Sequence, residues 1–152
     1  MLHITRDIGL QTDFVDAISK LLLHTSELVG SDRCTLFLVD KTVSPGFLYA
    51  GVPHVVSGAV AVSEIRVPIS LHSIVGACAL SGSVFAVPDA YSDPRFDLRF
   101  DRMTGYRTRS LLVAPIKDEQ GVVIAVIQVS SVLSGIMALL PNDKSLLLVH
   151  RL

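Results

Sequence analysis

VFAVPDAYSDPRFDLRFDRMTGYRTRSLLVAPI, residues 84–116, sets two apolar runs on either side of a segment dense in charges, aromatics and turn residues. The flanking runs, VFAV and SLLVAPI, are rich in Val, Leu and Ile and suit buried strands. Between them, Asp93-Pro94 predicts a helix start, with the aspartate as cap and proline at the first helical position. A helix over Asp93 to Met103 would bring Asp97 and Asp101 one turn apart on one face. Thr104-Gly105 reads as its exit turn. A polar lid carried between two core strands is a common home for function.

Upstream, Phe14, Ile18, Leu21, Leu22, Thr25 and Leu28 recur in three- and four-residue steps, predicting an amphipathic helix over Asp13 to Val29. Thr12 or Asp13 would cap it and Gly30 would stop it. Cys34 to Val39 follows as a strand, and the turn from Asp40 to Gly46 leads into a second strand at Phe47 to Val52, a hairpin. His54 to Val62 shows no alternation from which an element can be read. Glu64 to Ile69 alternates as a strand, and Pro68 implies an edge position or a strand end. Ser73 to Leu80 is a short helix of small residues stopped by Ser81-Gly82. Small residues at its start, Ile74, Val75 and Gly76, would let open N–H groups approach an anion, or simply let the helix pack closely.

Downstream, Ser110 to Ile116 and Val122 to Val129 form a hairpin through Lys117 to Gly121, and Asn142 or Asp143 would cap a last helix over Ser145 to Val149 that the chain end cuts short. This order is too irregular for a doubly wound βαβ repeat. It fits an α+β fold, an antiparallel sheet with helices on its faces and a cleft between sheet and lid.

Composition narrows the function. The chain has 152 residues, enough for one domain with its own core. Thirteen Lys+Arg against 14 Asp+Glu give a net charge of -1, which excludes the basic field that nucleic acid or an anionic membrane would require. Cys34 and Cys78 lie in apolar surroundings without metal-ligand spacing and read as buried thiols of a reducing, cytoplasmic compartment. The N-terminus lacks a secretory h-region. Mean hydropathy is +0.55, and Gly121 to Pro141 is uncharged and long enough to span a bilayer. Its first half is β-branched, however, and Gln128, Ser130, Ser131, Ser134 and Gly135 interrupt the rest, so a strand and a loop are expected, with no membrane span.

No P-loop, HExxH or GxSxG motif is present. The five histidines are scattered; only His72, just ahead of the short helix, is a candidate to support a bound anion. No metal is expected, because Asp97 with Asp101 is too sparse a carboxylate set. Asp and Thr pairs that can read a heterocycle, together with helix N–H groups that can hold phosphate, point to a nucleotide.

The blocks SDRCTLFLVD (31–40), SIVGACALSG (73–82) and VPDAYSDPRFDLRFDRMTGYRTRSLLVAPIKDEQGVVIAVIQ (87–128) strongly resemble the GAF domains of cyclic-nucleotide phosphodiesterases and some bacterial adenylyl cyclases. The resemblance covers residues 13–150, so that 1–152 is read as a single GAF domain excised from a longer chain, with about 12 residues of lead-in. It implies a six-stranded antiparallel sheet between helical layers, enclosing cAMP or cGMP. By matched position, it implies that Thr35, Tyr49 and Ala50 line the purine, with the tyrosine ring available for stacking. Ile74, Val75 and Gly76 would meet the cyclic phosphate, Asp97 would pack beside the ligand, and Asp101 would read the base. Thr104 and Thr108 would contact base or phosphate, and Gln128 would stand where the family often has an acid, an exchange that favours cAMP over cGMP.

The resemblance departs after the last strand. The family has an Asn-Lys pair there, then Phe and an Asp-Glu pair, with a Lys–Asp bridge closing the pocket. This chain has Ser130-Ser131, Leu140, Asp143 and Lys144. The implied role is a regulatory domain, not itself an enzyme, that signals to a fused phosphodiesterase catalytic domain within a homodimer and needs no cofactor beyond its ligand. A GAF module that dimerises without ligand is the alternative. A GAF-fold methionine sulfoxide reductase is more remote, since it needs several pocket cysteines.

Overall fold

The computed structural model describes residues 8–42, 44, 46–56 and 59–132. Helix α1 (Ile8–Val29) leads into strand β1 (Arg33–Asp40), followed by β2 (Phe47–Val56), β3 (Ala59–Pro68), helix α2 (Ile74–Ser81), β4 (Phe85–Val87), a 3-10 turn at Ala90–Ser92, helix α3 (Leu98–Thr104), β5 (Leu111–Lys117) and β6 (Val123–Ser130). The six strands form one antiparallel sheet in the order β3-β2-β1-β6-β5-β4. The expected α+β architecture is therefore present, with β1 and β6 at its centre and Pro68 at the end of an edge strand.

Alternation sorts the strand residues onto two faces. Phe37 lies opposite Val126, Thr35 opposite Gln128, Val113 opposite Gln128, and Phe85 opposite Val113. That face carries the core. Phe37, Leu48, Ala50, Phe85, Leu111, Val113 and Val126 pack there against Ile74, Val75, Ala77 and Cys78 of α2, and Ala90 and Phe96 extend the cover toward the lid. Helix α1 packs against β1, and none of its residues is among those described for that cluster.

Three elements differ from expectation. Helix α1 begins at Ile8, ahead of Asp13. Leu10, four residues before Phe14, continues the same apolar step, and nothing at Thr12 or Asp13 interrupts it. Within the stretch His54 to Val62, unreadable by periodicity, residues 54–56 end β2 and 59–62 open β3, and the two strands pair as far as Val56 and Ala59.

The lid helix begins at Leu98 rather than at Asp93-Pro94, with Asp97 as its cap. Asp93 accepts from the Arg95 N–H at 2.9 Å and from its guanidinium at 2.7 Å, which holds 93–95 in a turn. Proline also keeps the residue before it extended, and Asp93 stands at φ -89°, ψ 119°. Asp97 repeats the same Asp-x-Arg contact on Arg99, and there the chain does coil. The final helix expected over 145–149 lies outside the described residues, as does the part of Gly121 to Pro141 from 133 onward. Among the described residues, no helix is long and apolar enough to cross a membrane.

Candidate functional site

The lid is built around Asp101. Its side chain is only 6% exposed, and it accepts three hydrogen bonds: the Thr108 N–H at 2.6 Å and the Tyr91 hydroxyl at 2.9 Å on Oδ2, and the Thr108 hydroxyl at 2.8 Å on Oδ1. A buried carboxylate is tolerated only when its lone pairs are taken. One acid thus ties helix α3 to the 3-10 turn ahead of it and to the strand entry behind it. Asp101 also raises the Tyr91 phenol above its ordinary pKa, by accepting its proton in a hydrogen bond.

Tyr91 is a lid residue that the sequence reading does not single out. Its ring stacks on Phe96 at 5.7 Å and sits under the Arg107 guanidinium at 4.6 Å. The available signal was a phenol and a threonine on either side of a lone acid inside a helical stretch.

The other lid candidates do not join Asp101. Asp97 caps α3 from an exposed position, bonded to Arg99, and this contact holds its carboxyl below the ordinary carboxylate value. Thr104 is exposed and donates to the Phe100 carbonyl at 2.9 Å, closing the helix end before Gly105 at φ +67°. Thr108 alone is brought onto Asp101.

Beneath α2 the geometry differs. Thr35 and Gln128 are direct cross-strand partners on the central strands, on the core face beside Phe37 and Val126. Both are half-buried, and neither side chain has a hydrogen-bond partner among the described residues. Ala50 is on the same face, 1% exposed. Tyr49, its neighbour along β2, points to the opposite face by alternation and is 36% exposed. The structure therefore does not bring Tyr49 together with Thr35, Ala50 and Gln128.

Helix α2 starts at Ser73, whose side chain accepts from the Gly76 N–H at 3.0 Å, while its carbonyl takes the Ala77 N–H. The N–H groups of Ile74 and Val75 have no partner among the described residues and remain the open donors of the first turn. Gly76 serves close packing: a Cβ there would lie 2.4 Å from the Ser70 carbonyl oxygen and 2.6 Å from Ser73 Oγ. His72 is exposed beside this start.

Cys34 and Cys78 lie on opposite sides of the sheet, and burial pushes their thiols up to about 11 and about 12. Thiols so placed stay protonated at neutral pH and make poor nucleophiles. Among the described residues, no cluster of His, Cys, Asp or Glu can hold a metal ion. Ser130 ends β6 and Ser131 follows it, while Leu140, Asp143 and Lys144 lie outside the described residues.

The family model of the GAF domain matches residues 13–149. The chain is 37% identical over 137 residues to the dual 3',5'-cyclic-AMP and -GMP phosphodiesterase 11A of Takifugu rubripes, covering 84% of this chain and 14% of that protein. It is 35% identical over 143 residues to the dual 3',5'-cyclic-AMP and -GMP phosphodiesterase 11 of Drosophila melanogaster, covering 88% of this chain and 10% of that one. It therefore spans a small fraction of the length of these relatives.

Among solved structures, the GAF domain region of a membrane protein from Geobacter sulfurreducens superposes with a TM-score of 0.59 at 16% identity, over 95% of this chain and 90% of that one. The GAF domain of a phosphoenolpyruvate-protein phosphotransferase from Coxiella burnetii gives 0.57 at 17% identity, over 74% and 63%. At such identity these two speak for the fold alone.

Proposed function

The chain belongs to the GAF domain family, and we propose from that membership that it binds a cyclic nucleotide and regulates a phosphodiesterase catalytic domain joined to it in a longer, cytoplasmic protein. The observation that carries this reading is the Thr35–Gln128 pair. Two polar side chains stand side by side on the central strands, half-buried and without a hydrogen-bond partner among the described residues, on the core face that α2 packs against. A purine offers the donors and acceptors they lack, and the open Ile74 and Val75 N–H groups suit the cyclic phosphate. Ala50 supplies a small, flat neighbour for the ring. The relatives named for acting on both cyclic nucleotides support the ligand class.

In this reading Asp101 and Thr108 hold the lid, while Asp97 and Thr104 shape its helix. Gln128, an amide that can donate and accept, favours cAMP where an acid would suit the guanine N–H groups. Binding acts by stabilising the state in which the lid is closed, and it shifts the domain only as far as the affinities of the two states differ.

A second reading, pairing of two copies, is favoured by Leu21 and Leu28, which stand exposed seven residues apart on α1. Isothermal titration of the chain with cAMP and with cGMP tests the first reading. Saturable heat is expected with either, and tighter with cAMP. No heat from either nucleotide would remove the ligand and leave the pairing.

A further inference from the structure

Beyond the lid helix lies a second polar knot, separate from Asp101. The Tyr106 hydroxyl is 3.0 Å from Asp32 Oδ2 and 2.7 Å from Ser131 Oγ. Ser131 Oγ also accepts the Arg109 N–H at 3.3 Å, and the Arg33 guanidinium lies 3.9 Å over the Tyr106 ring. Three distant segments meet here: the lid exit, the residues that open β1, and the residue that follows β6. Asp32 in turn follows directly on the turn that ends α1, where Ser31 is bonded to Ser26 through both backbone and hydroxyl.

Ser131 carries the second mark of this knot. It is the one non-glycine residue at positive φ, +56°, among the described residues, a conformation that costs an L-residue about 1 kcal/mol. The strain is held where its N–H reaches the Ser110 carbonyl at 2.7 Å and its hydroxyl closes on Tyr106.

We propose that Tyr106 is a positioning residue that clasps the lid exit to the α1–β1 junction, so that lid closure and the setting of α1 are coupled. This deepens the regulation of the site described above and rests on that reading only for its ligand arm.

Hydrogen exchange of the 152-residue chain without ligand tests the clasp. Tyr106→Phe keeps the ring under Arg33 and removes one oxygen. The amides of 98–109 and of Ser31 and Asp32 are expected to exchange about tenfold faster, with β5 and β6 unchanged. Asp32→Asn retains an acceptor and should keep wild-type exchange, while Asp32→Ala should match Tyr106→Phe at the α1–β1 junction and fall short of it in the lid, where the Tyr106–Ser131 bond remains. Adding Ser131→Ala to Tyr106→Phe should give no further increase except at Arg109, whose N–H the Ser131 hydroxyl accepts. Unchanged lid exchange in Tyr106→Phe, or a uniform rise across the whole sheet, overturns the proposal.

In the ligand arm, cAMP and cGMP should leave Tyr106→Phe about tenfold faster than wild type; equal dissociation rates would overturn the coupling to the site. A wild-type chain that binds neither nucleotide overturns the ligand arm and the proposed function together, while the exchange data still decide the clasp.

Discussion

The lid and the sheet floor beneath α2 are both polar, but in opposite senses. In the lid, Asp101 gives both oxygens to Tyr91 and Thr108, Asp93 is closed on Arg95 and Asp97 on Arg99. On the floor, Thr35 and Gln128 are direct neighbours with no partner among the described residues. A segment dense in polar groups can satisfy itself locally, as Asp-x-Arg turns do. Two polar residues on a pleated face cannot: their neighbours on that face are Phe37, Val113 and Val126, which offer nothing to bond. The lid is thus a built structural unit, and the sparser region is where the proposed function places the groups that meet the ligand.

The most forceful way to break this contrast is Asp101→Ala. It leaves both Thr108 donors without their acceptor in a buried place and releases the exposed Tyr91 from the lid, and the expected loss is about 3 kcal/mol of unfolding free energy, read from the urea midpoint at unchanged slope. Asp101→Asn keeps one carbonyl acceptor and should lose about half as much. An Asp101→Ala chain of wild-type stability that no longer binds nucleotide would reverse the assignment, placing the base reader in the lid.

Gly76→Ala asks whether the start of α2 is packed or open. A Cβ at that position meets the Ser70 carbonyl at 2.4 Å and the Ser70 nitrogen at 2.8 Å, backbone atoms that cannot swing away. Overpacking of this kind should lower stability by about 2 kcal/mol in thermal or urea unfolding. An alanine tolerated without change would mean that the turn at Ser70 yields readily, and that the small residue serves ligand approach instead.

How much of this was legible beforehand follows the range of the interactions. The strands were readable because Val-, Leu- and Ile-rich runs are local signals, and so was the capped helix from Ser73 to Gly82. The GAF architecture was readable because the blocks at 31–40, 73–82 and 87–128 span most of the sheet.

The start expected for the lid helix lies four residues ahead of the observed one, Asp93-Pro94 against Asp97-Leu98, because both pairs set an aspartate ahead of a residue able to open a helix. Pro94 is what differs between them, since both aspartates make the same Asp-x-Arg contact. Tyr49 was paired with Ala50 as a lining residue, yet neighbours along a strand face opposite ways once the register is fixed. Tyr91 lies within ten residues of Asp101, but nothing in the spacing says that its hydroxyl turns to that acid; the Tyr106–Ser131–Asp32 knot is invisible because its bonds join segments far apart in the chain. The partners of Asp101 decide its role, and spacing alone cannot supply them.

The floor predicts smaller effects of a different kind. Gln128→Leu and Thr35→Val keep volume and remove hydrogen-bonding groups that have no partner among the described residues, so stability should move by less than about 1 kcal/mol. Nucleotide affinity should fall roughly tenfold for each, the equivalent of one neutral hydrogen bond. Titration calorimetry beside urea unfolding separates the two quantities. Equal affinity in both variants would make the floor as inert as the lid and end the contrast from its other side.

The smallest effect belongs to Asp97, and it sharpens the comparison because spacing alone put Asp97 beside Asp101. Its carboxylate caps α3 through the Arg99 N–H at 3.0 Å and pairs with the Arg99 guanidinium at 2.6 Å, with 49% of its side chain exposed. Loss of an N-cap should cost about 1 kcal/mol in Asp97→Ala and much less in Asp97→Asn, while the solvent-screened ion pair adds little. The Arg99 hydrogen bond lowers the folded-state pKa of this group. Its contribution is therefore present above the ordinary carboxylate pKa and lost as pH falls through the lowered value; in Asp97→Ala that part of the acid dependence should vanish. Nucleotide affinity should stay at the wild-type level in both variants. A tenfold loss in Asp97→Asn, where the cap survives, would show that the carboxylate meets the ligand directly and that the lid is more than a self-satisfied cover.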